Sequence, residues 1–282
     1  MSVTDILKEC ACFGVAGNFT GHLEQAGEAA DFRKYAAGEN APKAVFPTYI
    51  PGGSDAVPSF LKVFPFDDRK ILFPKGEQRL QIEPECAVVC HAQWHGEKIA
   101  NIEPLFFGAS NDCSIRKEGA KKISLKKNWG TASKGFSSSV IHIDSFAAGG
   151  ILDRYRIASF LVRDGTAYEY GEDSEIRGYR YMYGTLLSWL VDRLNSQKDD
   201  GPVENVCSYL NACGRPEQLM ISIGATRYTP FGQETFLQDG DISVVMLYPG
   251  DMYSPRDIKM LAAQKDAAAP ADISVLRQLV VL

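Results

Sequence analysis

The 282 residues are 45% hydrophobic and 23% charged, and 35 Asp and Glu against 30 Lys and Arg leave a net charge of −5. That balance suits a globular protein with a sizeable core and disfavours a non-specific nucleic-acid binder, which is usually basic. No apolar run reaches membrane-spanning length, and seven scattered cysteines without a Cys-x-x-Cys pair read as reduced thiols, not as a disulfide frame or a zinc site.

The first residues carry early acids and no basic segment leading into an apolar one, so a cytoplasmic protein without a secretory signal is expected. Residues 3–10 read as a short helix capped by Ser2 or Thr4. Residues 13–19 read as a buried strand that stops at Gly17-Asn18. Residues 21–37 read as a helix, with Leu23, Ala26, Ala30 and Tyr35 near one face, Arg33-Lys34 late and Gly38 as its close. Residues 40–58 are rich in Pro and Gly and read as loop. Two short strands, 60–66 and 70–73, flank an Asp67-Asp68 turn, and a strand over 83–90 leaves through turn-like residues 91–98. Residues 104–114 read as a buried element that delivers Asn111 and Asp112 to its end. The basic run 116–127 reads as a solvated, mobile loop, with an anion-attracting lid as the other reading. Residues 129–136 read as loop and 140–146 as strand. Asp164-Gly165 should join 156–163 and 166–170 as a hairpin.

Residues 179–195 carry the clearest helical period, through Met182, Leu186, Leu190 and Leu194. A shorter helix is expected over 203–212 with Pro202 at its first position. Strands follow at 219–223 and 241–248, then a helix from Ser254-Pro255 to about Gln264 and an Ala-rich linker at 266–272. Residues 273–282 fit either a closing strand or a docked helix. Strands outnumber helices and come in hairpins, which predicts an α+β fold with a large mixed or antiparallel sheet.

The chemistry centres on Leu80-Gln-Ile-Glu-Pro-Glu-Cys-Ala-Val-Val-Cys90. In a strand, Leu80, Ile82, Pro84, Cys86 and Val88 share one face and Gln81, Glu83, Glu85 and Ala87 the other. Two carboxylates on a buried face repel and are costly to desolvate, and a hard cation would relieve both penalties. An edge strand with its glutamates in water would relieve them equally. Pro84 removes a ladder donor, so an edge or a bulge is expected there. Further on come Asp112, in Asn-Asp-x-Ser-x-Arg, and Lys134, in Ser-Lys-Gly-Phe. His91 and His95 lie four apart, which suits zinc only on a helix, so they read as surface residues. The tyrosines 168, 170, 179, 181 and 183 read as core and interface. Gly-x-Ser-x-Gly, a Walker loop and Gly-x-Gly-x-x-Gly are absent, which counts against serine hydrolases, P-loop proteins and Rossmann folds.

The ordered set Glu-x-Glu, Asn-Asp-x-Ser-x-Arg and Lys-Gly-Phe resembles the fumarylacetoacetate hydrolase family. Phe13-Gly-Val-Ala-Gly-Asn-Phe-Thr-Gly-His22 resembles that family's opening strand and lid segment, and Phe60-Leu-Lys62 its Phe-Leu-Lys. Gly224-Ala-Thr226 stands where the family has Gly-Thr-Pro, ahead of Gly240-Asp-Ile242. The resemblance implies one domain over residues 1–250, a mixed β-sandwich roll with flanking helices. Its lid would span about 13–40, its metal-site core about 60–250, and 251–282 would be a C-terminal extension. It implies that Glu83, Glu85 and Asp112 bind Mg²⁺, with Mn²⁺ or Ca²⁺ as alternatives. His22 with Glu24 would activate water, and Lys134 would stabilise the anion. Arg116 would bind a substrate carboxylate or fix Asp112, and Lys62 and Thr226 would line the pocket. The implied function is hydrolysis of a C–C bond in a small anionic 2-oxo or 1,3-dioxo acid, in a homodimer without nucleic-acid or membrane partners.

Two departures open alternatives. Gln25 stands where the family has its lid glutamate, and Ala225 where it has the Gly-Thr-Pro threonine. Decarboxylation, hydration or isomerisation at the same metal site is one alternative. A catalytically degenerate protein that binds a metabolite or a partner through residues 251–282 is the other.

Overall fold

Most of the strand-forming segments gather into two main sheets. The computed structural model describes residues 2–28, 32, 40–117, 119–264 and 268–282. Among the described residues, the strands in chain order are β1 Ala11–Ala16, β2 Ala44–Tyr49, β3 Lys70–Leu72, β4 Leu80–Gln81, β5 Pro84–His95, β6 Lys98–Asn111, β7 Ser114–Ile115 and β8 Gly135–Phe136. They continue with β9 Ile141–His142, β10 Tyr155–Arg163, β11 Thr166–Glu175, β12 Gln218–Ala225, β13 Ile242–Pro249 and β14 Ser274–Val281. The helices are α1 Val3–Glu9, α2 His22–Gln25, α3 Ser124–Lys127, α4 Tyr183–Ser196, α5 Val206–Ala212, α6 Pro230–Glu234 and α7 Pro255–Ala263.

The first sheet runs β2-β1-β12-β5-β6-β8, with β9 also on β6, and the second runs β11-β10-β13-β14-β3. Parallel pairings of β1 with β12 and of β14 with β3 tie early strands to late ones, and the other pairings are antiparallel. Strand alternation divides β5 as expected. Cys86, Val88 and Cys90 join Ile157, Leu161 and Val245 of the second sheet in the main core. Ala87 and Val89 face outward, under Leu7 of α1. No helix among the described residues is long and apolar enough to cross a membrane.

Several expectations change at element ends. Segment 60–66 is not a strand: Ser59–Lys62 forms one 3₁₀ turn, and Pro65 has no N–H to continue a ladder. β5 runs on to His95 because the hairpin turns only at Gly96, where φ is 64°. Only Ile141–His142 of 140–146 pairs as strand. α4 begins at Tyr183 because Asn18 takes the preceding backbone: Arg180 N–H donates to its carbonyl and Tyr181 N–H to its side chain. α5 begins at Val206, where the Asn205 side chain accepts from Ser208 N–H. The hairpin about Asp164-Gly165 forms, with φ of 51° and 75°. Residues 273–282 resolve as a strand: β14 lies between β13 and β3. The helix expected over 21–37 is cut short: α2 ends at Gln25, and Gly27, at φ 71°, turns the chain; residues 29–31 and 33–39, with the Gly38 close, and residues 266–267 of the expected linker fall outside the described residues.

Candidate metal centre

β5 is an interior strand, so the solvated-edge reading of its glutamates is overturned. Glu83 and Glu85 are buried at 3% and 1% exposure. Pro84 is tolerated as the first residue of β5, beside a bulge: β12 takes three steps from Ser222 to Ala225 where β5 takes two from Ala87 to Glu85. Gly224 lies in that bulge at φ 123°, and its N–H turns to Glu85 Oε2 at 3.0 Å.

Asp112 reaches the same place through the backbone. Its N–H donates to the Glu83 carbonyl at 3.0 Å, and Glu83 N–H donates to Asn111 Oδ1 at 3.1 Å. Ligand oxygens of Glu83, Glu85 and Asp112 thus lie within 4.8 Å of one another.

Side-chain cations surround this triad. Arg116 Nη2 is 2.7 Å from Glu83 Oε1, and Lys134 Nζ is 3.0 Å from Asp112 Oδ1. Lys127 Nζ bridges Glu83 Oε2 at 2.5 Å and Asp112 Oδ2 at 2.7 Å. Burial opposes the charged form of Glu83, but Lys127 and Arg116 outweigh it and hold its carboxyl well below the usual range. Glu85 is left out of these pairs. Burial first, then the charges of Asp112 and Glu83, raise it well above the usual range.

The opening strand delivers the histidine. Asn18, fully buried, donates to the carbonyls of Ile223 at 2.8 Å and Tyr181 at 3.0 Å, which pins the turn after β1 onto β12. Gly21, at φ 83°, then starts α2 with His22 first. The Nδ1 of His22 meets the Thr226 carbonyl at 2.8 Å. A carbonyl only accepts, so Nδ1 carries the proton and Nε2 keeps a lone pair. Nε2 lies 4.0 Å from Glu83 Oε2. Burial lowers the imidazole pKa, so the ring is neutral.

Other expected site residues are placed differently. Glu24 is exposed on α2. Gln25 instead clamps the Tyr228 backbone, accepting from its N–H at 2.8 Å and donating to its carbonyl at 3.1 Å. Arg116 fixes Glu83 rather than Asp112, and its other contacts are Gln81, Glu28 and Tyr228. Lys62 is half-buried in the 3₁₀ turn and, among the described residues, makes no ion pair with the triad. Thr226 contributes through its backbone, its N–H donating to the Pro84 carbonyl at 3.2 Å.

The sequence reading missed Glu28, Lys126, Lys127 and Tyr228. The basic run is not wholly a solvated loop, because Lys126 and Lys127 turn inward and are buried. Glu28 Oε1 accepts from Lys126 at 2.7 Å and Arg116 at 3.1 Å. The available signal was charge balance: three buried acids against Arg116 and Lys134 call for another cation, and the run ending at Lys127 was the nearest source. Glu28 gave no signal, since its approach depends on the turn at Gly27 (φ 71°).

His22, Glu28, Glu83, Glu85 and Lys127 line a cavity of about 20 Å³, room for roughly one water. A larger pocket of about 220 Å³ adjoins it across Glu28 and carries Arg79, Arg116, Lys117 and Lys126.

Residues 28–280 match the model of DUF5718, a family of unknown function. Among curated proteins none matches the chain. A structure of 2-keto-3-deoxyarabinonate dehydratase is similar in fold, with TM-score 0.56 and 16% identity over 96% of this chain and 73% of that one. A 2-keto-3-deoxy-D-arabinonate dehydratase complexed with magnesium and 2,5-dioxopentanoate gives TM-score 0.53 and 15% identity, over 96% and 72%. A 5-carboxymethyl-2-hydroxymuconate delta-isomerase from Mycobacterium smegmatis gives 0.50 and 14%, over 96% and 78%.

Proposed function

For a chain that belongs to DUF5718, shares its fold with the dehydratase and isomerase structures above and resembles the fumarylacetoacetate hydrolase family in its motifs, we propose a divalent-metal-dependent enzyme acting on a small 2-oxo or 1,3-dioxo acid. The observation that carries this is the convergence of Glu83, Glu85 and Asp112 from separate segments onto one buried point. Three hard oxygen donors within 4.8 Å of one another suit an ion with metal–oxygen distances of about 2.0–2.6 Å, Mg²⁺ first and Mn²⁺ or Ca²⁺ next. When bound, such an ion supplies Lewis acidity toward the paired oxygens of an oxo acid.

The chain's own residues fill the other roles. Lys134 places positive charge beside the triad, where it would stabilise a developing anion. His22, neutral and with a free Nε2, serves as the base. Arg116 holds Glu83 in place. Arg79 and Lys117, on the rim of the larger pocket, favour an anionic substrate.

Hydrolysis of a C–C bond is the reading implied by the sequence resemblance. One observation favours a second reading, dehydration or isomerisation. The partner of His22 Nδ1 is a backbone carbonyl, Glu28 is engaged by Arg116 and Lys126, and Glu83, 4.0 Å from Nε2, is held by Arg116 and Lys127, so among the described residues no carboxylate is hydrogen-bonded to His22 as a dyad for water activation. Proton abstraction from carbon needs only the lone base.

Calorimetric titration of Mg²⁺ into wild type and Glu83→Ala tests the centre. Binding by the wild type alone is expected, and equal binding or none in either ends the proposal. Incubation with an acylpyruvate separates the reactions: loss of diketone absorbance with two acid products supports hydrolysis, and turnover of a 2-keto-3-deoxy sugar acid alone supports dehydration.

A further inference from the structure

Each of the four oxygens of Glu83 and Asp112 lies within ion-pair distance of a side-chain cation, and Glu83 Oε2 alone of the four accepts a hydrogen bond of good geometry, from Lys127. Arg116 and Lys134 each hold one, and Lys127 holds one of each residue, Glu83 Oε2 at 2.5 Å and Asp112 Oδ2 at 2.7 Å. Lys127 is therefore the one cation of the three that bridges two of the triad's carboxylates. A divalent ion ligated by Glu83, Glu85 and Asp112 would need an oxygen from each of the same two residues.

The lysine is held there by construction. α3 is anchored at its start, where Ser124 donates to the buried Glu204. Just past its end, Asn128 donates to the carbonyls of Thr48 at 2.8 Å and Val63 at 3.1 Å. The ammonium also lies 5.2 Å from the centroid of the Phe46 ring, within cation–π range. Only 2% of Lys127 is exposed.

We propose that the Lys127 ammonium is the resident cation of the carboxylate triad, the species that any divalent ion must displace. The inference takes from the proposed function only the identity of the metal ligands.

The test uses the 282-residue chain, stripped of metal. Lys127→Met should bind Mg²⁺ or Mn²⁺ at least tenfold more tightly than wild type by calorimetry, while Lys127→Arg should bind no better than wild type. In EDTA, Lys127→Met should melt several degrees below wild type, and Mg²⁺ should restore it. Equal metal affinity in wild type and Lys127→Met, or an unchanged melting temperature in EDTA, overturns the proposal. If neither binds an ion while Lys127→Met still melts low, the resident cation stands and the metal-dependent function falls. Should Lys127→Met not fold, amine acylation of wild type read by peptide mass spectrometry decides. Protection of Lys127 in EDTA, lost or kept in Mg²⁺, supports the proposal, and labelling in EDTA at the rate of exposed Lys98 overturns it.

Discussion

Asp112 holds two buried lysines at once, Lys127 and Lys134. Removing one partner of a buried pair strands the other charge in a medium that solvates it poorly, typically at about 3–5 kcal/mol. Asp112→Asn should therefore lower unfolding free energy by about 3 kcal/mol or more in urea melts; a loss under 1 kcal/mol would show that the lysines find other partners. Glu204 offers a pH prediction of defined sign. Burial first raises its carboxyl to about 7, above the usual 4.5, although the Ser124 hydroxyl lowers it. Between those two values the folded chain keeps a proton that the unfolded chain has lost. Its contribution to stability is complete below pH 4.5 and declines as pH rises to about 7, by up to about 3 kcal/mol. Glu204→Gln cannot titrate, so its stability advantage over wild type should grow between pH 5 and pH 8, as read by chemical denaturation at both. Glu83 and Glu85 were legible in the sequence because carboxylates at alternate strand positions are conspicuous, and Asp112 because it ends an apolar stretch in an Asn-Asp-x-Ser-x-Arg run. Lys127 was not, since a basic run looks the same whether its last lysine turns outward or inward.

The bulge between β12 and β5 is the element that makes Glu85 part of the centre. An alanine at Gly224 would take up φ 123°, with its Cβ 3.2 Å from the Asn18 Cβ and 3.4 Å from the Val15 carbonyl. Gly224→Ala should cost about 1–3 kcal/mol and weaken metal binding by rotating the N–H away from Glu85. Unchanged calorimetric affinity in a folded variant would show that the bulge does not position that carboxylate. Pro84 made the bulge readable, because a missing donor within a strand needs an edge, a strand start or an irregular neighbour. The Asp164-Gly165 hairpin was readable from its turn residues. Segment 60–66 and the start of α4 were not, because Pro65 and the distant Asn18 overrule local preference there.

At the scale of the whole molecule, β14 of the second sheet braces the backbone behind the site on the first, in addition to the core the two sheets share. Gln278 of β14 is fully buried, accepts from Asn111 Nδ2 at 3.1 Å, and donates to the carbonyls of Asp67 at 2.9 Å and Lys134 at 3.1 Å. Gly135 leaves room for it, since a Cβ there would collide with the Gln278 amide. Deleting residues 274–282 should therefore unfold the chain rather than trim an appendage. Loss of the cooperative thermal transition is expected, and a folded, metal-binding truncation would contradict it. This connection was closed to sequence reading, because pairing β14 with β3 joins residues about two hundred positions apart.

The same strand orders events in time. Residues 274–281 leave the ribosome after the strands they pair with, yet they form an inner strand flanked on both sides and carry the amide that bonds the Lys134 carbonyl. Until β14 emerges, β13 and β3 have no neighbour between them, and the backbone behind the carboxylate triad lacks its brace. Assembly of the centre thus waits for the emergence of β14. It closes contacts of long sequence separation, which form slowly and leave apolar strand faces open to chaperones in the meantime.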